Sequence, residues 1–270
     1  MNATVGGGRI RQCFEEVRVQ GKKALISFIT AGDPGVDYTV PAMHSLVQGG
    51  VDILELGIPF SDPEAEGPTI QAANERALEN GMTLLQVLEM VAEFRKKNTE
   101  TPVVLMGYLN SILAMSDFPS RASSAGVDGL IMVNLPPEEG ATLQSALADH
   151  GMDLIYLIAP TTTPARTLSI LQQASGFVYC VSLKGTTGAG HVQAEEVIAR
   201  TAELQQIAEL PIAVGFGIKD AQTARALSAN ADGIVVGSAL VNLMTEPQGP
   251  EVVCQRLHAA VASIRQGLDD

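Results

Sequence analysis

The sequence has few of the residues that build disulfide frameworks and metal centres. Among its 270 residues are only three cysteines, Cys13, Cys180 and Cys254, which are widely separated and form no CxxC pair. Such cysteines are typical of reduced thiols in a cytoplasmic protein. The four histidines are equally scattered, with no i, i+4 pair and no HExxH motif. We therefore predict no metal site.

Positive charge and long apolar runs are also scarce. Lys and Arg number 17 against 30 Asp and Glu, giving a net charge of −13, and no basic cluster interrupts this balance. This charge argues against a nucleic-acid partner, so an anionic ligand must be held by backbone dipoles. No apolar run reaches the roughly 18 residues of a membrane span, and the N-terminus lacks a signal-peptide core. We expect a cytoplasmic protein that binds neither nucleic acid nor membrane.

Short apolar runs, in contrast, are regularly distributed along the chain and alternate with segments of helical period. The helical segments include 83–97, 194–208 and 220–231. The eight apolar runs are ALISFIT (24–30), ILELGI (53–58), VVLMGY (103–108), GLIMVN (129–134), LIYLIAP (154–160), FVYCVSL (177–183), IAVGFG (212–217) and GIVVGSA (233–239).

This alternation predicts an α/β protein with a parallel sheet covered by helices. Eight repeats fit a single (β/α)₈ TIM barrel with a short N-terminal helix, in one domain over residues 1–270 with 1–9 as a frayed terminus. A doubly wound open sheet is the competing architecture. Against it, the turn TAGDPG (30–35) has the wrong spacing for a dinucleotide-binding loop.

A glutamate interrupts the second apolar run. Glu55 lies between two leucines and precedes the loop 59–71, which carries three more acids. Because an unpaired buried charge is costly, this position is typical either of a structural ion pair or of a catalytic acid/base. In a barrel, catalytic groups lie at the C-terminal ends of the strands, as Glu55 would.

Glycine-rich turns follow the last three predicted strands. Backbone N–H groups of Gly217, Gly237 and Ser238, after strands seven and eight, can cradle a phosphate without a cationic side chain, although such glycines also serve packing. The loop 183–191 after strand six has the composition of a lid, and its Gly188 could add a further N–H group.

The order of the motifs ITAGDP, LELGIPFSDPxAxGPxIQ, VLMGYxN, YCVSLKGTTG, GFGI and GSALV resembles the α subunit of tryptophan synthase, over residues from about 10 to 265. The resemblance implies a barrel enzyme that cleaves indole-3-glycerol phosphate into indole and glyceraldehyde 3-phosphate. It places Glu55 on the catalytic glutamate. It also places Glu66, one methylene longer than the usual aspartate, on the acceptor of the indole N–H.

The same resemblance implies a site for the indole ring. Tyr179 matches a tyrosine that lines this site. Around it we expect an apolar slot, whose residues could equally be barrel filling. The slot residues are Phe28, Leu105, Ile131 and Phe216.

A partner is implied as well, a pyridoxal-phosphate β subunit in an α2β2 complex that receives the indole. The cofactor is expected on that partner and none on this chain. Predicted contacts are Pro59, Phe60, Asp62 and Asn110. Asn134 stands where an aspartate is usual. With Glu66, it leaves open two alternatives, a weakly active docking or regulatory subunit and a stand-alone lyase.

Overall fold

Eight parallel strands close into a barrel in chain order, with β8 pairing back onto β1. The computed structural model describes residues 8–181, 190–215, 217–246 and 248–270. The strands are β1 (Ala24–Thr30), β2 (Ile53–Gly57), β3 (Val103–Gly107), β4 (Gly129–Met132), β5 (Asp153–Ile158), β6 (Val178–Val181), β7 (Ile212–Gly215) and β8 (Gly233–Val236). The predicted TIM barrel is confirmed, and the open doubly wound sheet is excluded.

Helices surround the barrel and connect its strands. They are α1 (Gly8–Val19), α2 (Thr39–Gln48), α3 (Pro68–Glu79), α4 (Leu84–Arg95), α5 (Leu109–Leu113), α6 (Phe118–Ala125), α7 (Ala141–Ala148), α8 (Pro164–Gln173), α9 (Gly190–Gln205), α10 (Ala221–Ser228), α11 (Ser238–Met244) and α12 (Pro250–Asp269). None of the helices in the described part of the chain has the length and apolar character of a membrane span.

The N-terminal helix closes the bottom of the barrel. Its apolar side chains Ile10 and Phe14 pack in one cluster with interior residues of the strands, and the ring of Phe14 lies 5.7 Å from that of Phe177. Arg9 bonds to Asp128 at 2.7 Å. Residues 8 and 9, which we predicted with the frayed terminus, are therefore helical, whereas residues 1–7 lie outside the described residues.

Alternation along each strand decides which side chains line the barrel. On β3, Val104 belongs to the interior cluster, and Leu105 belongs to the cluster between the barrel and its helices. Met106 packs with the interior cluster and also against Phe28. The prediction that Leu105 lines an indole slot is therefore wrong, because successive side chains of a strand point to opposite faces.

Candidate active site

Glu55 lies inside the barrel near its C-terminal end and is only 2% exposed. Both carboxylate oxygens lack a hydrogen-bond partner among the described residues. Burial, and secondarily the charge of Glu66, raises the pKa of Glu55 to about 8. The structural ion pair is excluded for the described part of the chain, where no Lys or Arg bridges to Glu55; Arg76 pairs with Asp33 instead, at 2.6 Å.

Glu66 and Tyr179 interact electrostatically with Glu55, and the surroundings of these three side chains are called the chamber of Glu55. Glu66, in the loop after β2, is buried, with 9% of its surface exposed. Burial first, and then the charges of Glu55 and Glu66, raises the pKa of Tyr179 well above its usual value. The structure thus brings together two carboxyl groups and a phenol that stays protonated at neutral pH.

Two glycines make room for the aromatic side chains of this chamber. A Cβ atom at Gly215 would fall 2.4 Å from the Tyr179 hydroxyl, and one at Gly57 would fall 2.7 Å from Cζ of Phe28. Phe28 packs in a small cluster apart from the rest of the barrel filling, while Ile131 lies in the interior cluster. Phe216 lies outside the described residues. Met106, which the sequence did not single out, takes the interior place predicted for Leu105.

Side chains from two neighbouring elements hold the loop that carries Glu66. Asn74 on α3 accepts the Phe60 N–H at 3.0 Å. The Tyr108 hydroxyl, after β3, accepts the Ala65 N–H, also at 3.0 Å. These anchors were absent from our site prediction, although Tyr108 lies within the motif VLMGYxN.

The glycine turns after β7 and β8 lie at the same end of the barrel. Gly217 has φ +51°, and a Cβ atom there would meet no atom of the described residues within 4 Å. Gly237 caps α11 without a side-chain hydrogen bond, and Ser238 is exposed at the start of that helix. Gly188 lies outside the described residues, as do residues 183–189 of the predicted lid. Helix α9 begins at Gly190.

The predicted partner contacts differ in exposure. Asp62 and Asn110 are exposed, and Phe60 is half-buried, with its ring stacked on Tyr108 at 4.6 Å between centroids. Pro59 is buried within the chain and offers little surface to a partner, so its role as a contact stays a prediction of the sequence.

Asn134, which follows β4, contacts the start of α5 at the same end of the barrel. Its Oδ1 accepts the Leu109 N–H at 2.8 Å, and its Nδ2 lies 3.4 Å from Oδ1 of Asn110. An uncharged amide therefore supports the start of α5, which carries Asn110.

The opposite end of the barrel has a charged cleft in which several charged side chains are paired with one another. Arg265 bonds to Asp52 at 3.1 Å, and Lys22 bonds to Asp269 at 3.0 Å. Within the described ranges, no three His, Cys, Asp or Glu side chains are placed to hold a metal ion. The strongest candidate site is therefore the chamber of Glu55.

Comparisons with known proteins agree on one family. The family model "Tryptophan synthase alpha chain" matches residues 14–269. The tryptophan synthase alpha chain of Chromobacterium violaceum is 56% identical over 96% of this chain and 99% of the relative. The alpha chain of Cupriavidus taiwanensis is 52% identical over 97% of this chain and 99% of the relative.

Solved structures give the same result. Tryptophan synthase subunit alpha from Legionella pneumophila superposes with a TM-score of 0.88 at 44% identity, covering 97% of this chain and 98% of the other. A chain of tryptophan synthase from M. tuberculosis, in an aminoacrylate-bound form, superposes with a TM-score of 0.85 at 32% identity. The match covers 97% of this chain and 99% of the other. With the sequence match spanning nearly all of its length, this chain belongs to the tryptophan synthase alpha chain family.

Proposed function

We propose that this chain cleaves indole-3-glycerol phosphate into indole and glyceraldehyde 3-phosphate. Membership of the family implies a lyase role in general, and the chamber around Glu55 supports this particular reaction. The cleavage breaks the bond between indole C3 and the first side-chain carbon. It requires a proton at C3 and removal of the proton from the adjacent hydroxyl group, so the overall reaction consumes no other reagent.

Glu55 is the proposed acid and base. With a pKa of about 8, its carboxyl group is mostly neutral at pH 7 and can donate its proton to indole C3. The carboxylate so formed then takes the proton of the side-chain hydroxyl as the carbon–carbon bond breaks. One group thereby moves a proton from oxygen to carbon and returns to its starting state.

Glu66 is proposed to stabilise the positive charge that develops on the indole nitrogen. Its carboxylate influences the pKa of both Glu55 and Tyr179, which supports a position on the same substrate. The apolar contacts of the ring would come from Phe28, Ile131 and Met106. Phe216 stays a prediction of the sequence.

The phosphate group is proposed to lie against the turns after β7 and β8. The open space in front of Gly217 and the uncapped start of α11 at Gly237 and Ser238 leave backbone N–H groups for an anion. Gly188 would add a further N–H group, as the sequence predicts.

The family also implies a β subunit as partner. We propose an α2β2 complex in which indole passes directly to that subunit, for synthesis of L-tryptophan. Pyridoxal phosphate would belong to the partner and not to this chain. Asp62, Asn110 and the half-exposed Phe60 would form the contact surface on the rim of the barrel.

The single observation that carries the proposal is the buried carboxyl group of Glu55, which has no hydrogen-bond partner among the described residues and feels the charge of Glu66. Steady-state release of indole from indole-3-glycerol phosphate, with and without added β subunit, tests it. We expect slow release by the chain alone and faster release in the complex. Absence of release in both conditions would leave only a docking or regulatory role, and full activity of the isolated chain would indicate a stand-alone lyase.

A further inference from the structure

The loop between β2 and α3 carries Glu66 but makes few apolar contacts of its own. Residues 61, 62, 64 and 65 are exposed, whereas Glu66 itself is buried. A loop of this kind holds a side chain only as well as its backbone is anchored. The anchors of this loop therefore contribute to where the Glu66 carboxylate lies.

Two side chains anchor the backbone on either side of Glu66. The Tyr108 hydroxyl accepts the N–H of the preceding residue, Ala65, at 3.0 Å. The Gln71 amide donates to the carbonyl oxygen of Glu66 itself at 3.0 Å and lies 3.4 Å from that of Pro63. One anchor comes from the end of β3 and the other from the first turn of α3, so both belong to regular elements.

Tyr108 also holds the start of the same loop. Its ring is stacked on that of Phe60, with centroids 4.6 Å apart and planes 16° from parallel. Tyr108 is only 7% exposed, and it follows the strand that pairs with the strand of Glu55. A single buried side chain thus connects the beginning of the loop, its catalytic end and the barrel.

We propose that Tyr108 and Gln71 are positioning residues, which clamp the peptide groups around Glu66 and so fix the separation of the Glu66 and Glu55 carboxyl groups. The inference rests on the proposed function for its catalytic consequence, since neither residue is assigned a contact with the substrate. Its structural consequence, a change in the influence of Glu66 on the pKa of Glu55, can be measured in the free chain.

The first test replaces Tyr108 by Phe, which retains the stacked ring and removes only the hydroxyl. In the free chain, the carboxyl carbon of Glu55 is titrated by NMR, its signal being assigned by its loss in Glu55→Gln. Glu66 raises the pKa of Glu55, so we expect a lower pKa in Tyr108→Phe than in the wild type. An unchanged pKa would overturn the proposal, whether or not the chain cleaves indole-3-glycerol phosphate.

Tyr156→Phe is the matched control. Tyr156 is also buried, at 4% exposure, and its hydroxyl has no hydrogen-bond partner among the described residues. It lies on β5 in the outer cluster, away from the loop of Glu66. We expect no change in the pKa of Glu55 in this variant, and an equal change in both variants would also overturn the proposal.

The second test replaces Gln71 by Met, which removes the donor to Glu66 and keeps the side-chain length. Gln144→Met is its control, because Gln144 also donates to a backbone carbonyl oxygen, that of Gln173, and lies on α7, outside the loop of Glu66. For Gln71→Met we expect a lower pKa of Glu55 and a kcat reduced about tenfold or more at similar KM, since misplacement by about 1 Å suffices for such a loss. A loss confined to thermal stability would assign Gln71 a purely structural role.

Discussion

Glu66, buried in the loop after β2, lies close enough to Glu55 for its charge to raise the pKa of Glu55 beyond the effect of burial alone. A charged Glu66 therefore opposes ionisation of Glu55 near neutral pH. The pair therefore has one member that is ready to donate a proton and one that is ready to accept a hydrogen bond.

The amide variant Glu55→Gln tests the central role. It retains the size and polarity of the side chain but cannot exchange a proton, so we expect loss of indole release with substrate affinity largely retained. Single-turnover kinetics together with calorimetric binding would measure the two effects separately. Substantial remaining turnover would remove Glu55 from the mechanism.

The pH dependence of kcat/KM tests the order of the proton transfers. Because neutral Glu55 is proposed to act first, activity should fall as pH rises through about 8, the pKa of this group. A pH profile of the isolated chain would show this limb, and Glu66→Gln should shift it to lower pH. Activity that rises through the same range would indicate that the carboxylate form acts first.

The same pKa makes a prediction about stability. Folding raises the pKa of Glu55 from 4.5 to about 8, so the folded chain binds the proton more tightly than the unfolded chain. The free energy of unfolding should fall as pH rises from about 4.5 to about 8 and level off above. Relative to the wild type, Glu55→Gln should therefore gain up to several kcal/mol at pH 9 and almost nothing at pH 4. Urea titrations at both pH values would measure the difference.

Glu66 offers a test of charge and of reach. Glu66→Gln removes the charge, and we expect kcat to fall about 100-fold or more with KM little changed. Glu66→Asp keeps the charge and withdraws it by about 1.5 Å, so kcat should stay within about tenfold of the wild type. Equal activity of all three forms would exclude charge stabilisation by this residue.

Adjacent residues on β3 give a matched pair for the indole slot. Met106→Ala should raise KM several-fold, because an apolar side chain is lost from the barrel interior. Leu105→Ala should leave KM unchanged and lower the free energy of unfolding by about 2–5 kcal/mol, because Leu105 is fully buried in the outer cluster. The reverse pattern would restore the original assignment of Leu105.

Two glycines of positive φ give a matched pair for the phosphate site. Gly217 and Gly151 have φ +51° and +72°, and at both positions a Cβ atom would enter open space. Alanine at either position imposes a similar backbone strain of about 1–2 kcal/mol. Only Gly217→Ala should raise KM, because its methyl group would occupy the proposed phosphate position. Equal KM values would place the anion elsewhere.

The strands and the barrel were predictable because their apolar runs differ sharply from the intervening amphipathic segments. Which residues of each strand face the barrel interior was less predictable. In VVLMG every residue is apolar, so the sequence carries no signal for which alternate set faces inward, and Leu105 was chosen over Met106. The role of Glu55 depended on whether a cation lies near it, and only the fold shows that Arg76 pairs with Asp33.

The anchors of the Glu66 loop could not be derived from local pattern. The partners Tyr108 and Ala65 are 43 residues apart, and their contact exists only because β2 and β3 are neighbours. Gln71 is close in sequence to Glu66, yet its amide could have pointed to solvent. Both residues lie within the quoted motifs, but the motifs do not indicate that these side chains bond to the backbone of the Glu66 loop.

Ile10 and Phe14 of α1 pack against the interior residues of the strands, so the N-terminal end of the barrel is closed. A product formed beside Glu55 would have this apolar layer between it and the N-terminal end of the barrel. It would leave at the C-terminal end, past the rim where Asp62 and Asn110 are exposed. The proposed exit for the product therefore lies on the rim that we propose as the contact surface of the β subunit, because α1 closes the opposite end of the barrel.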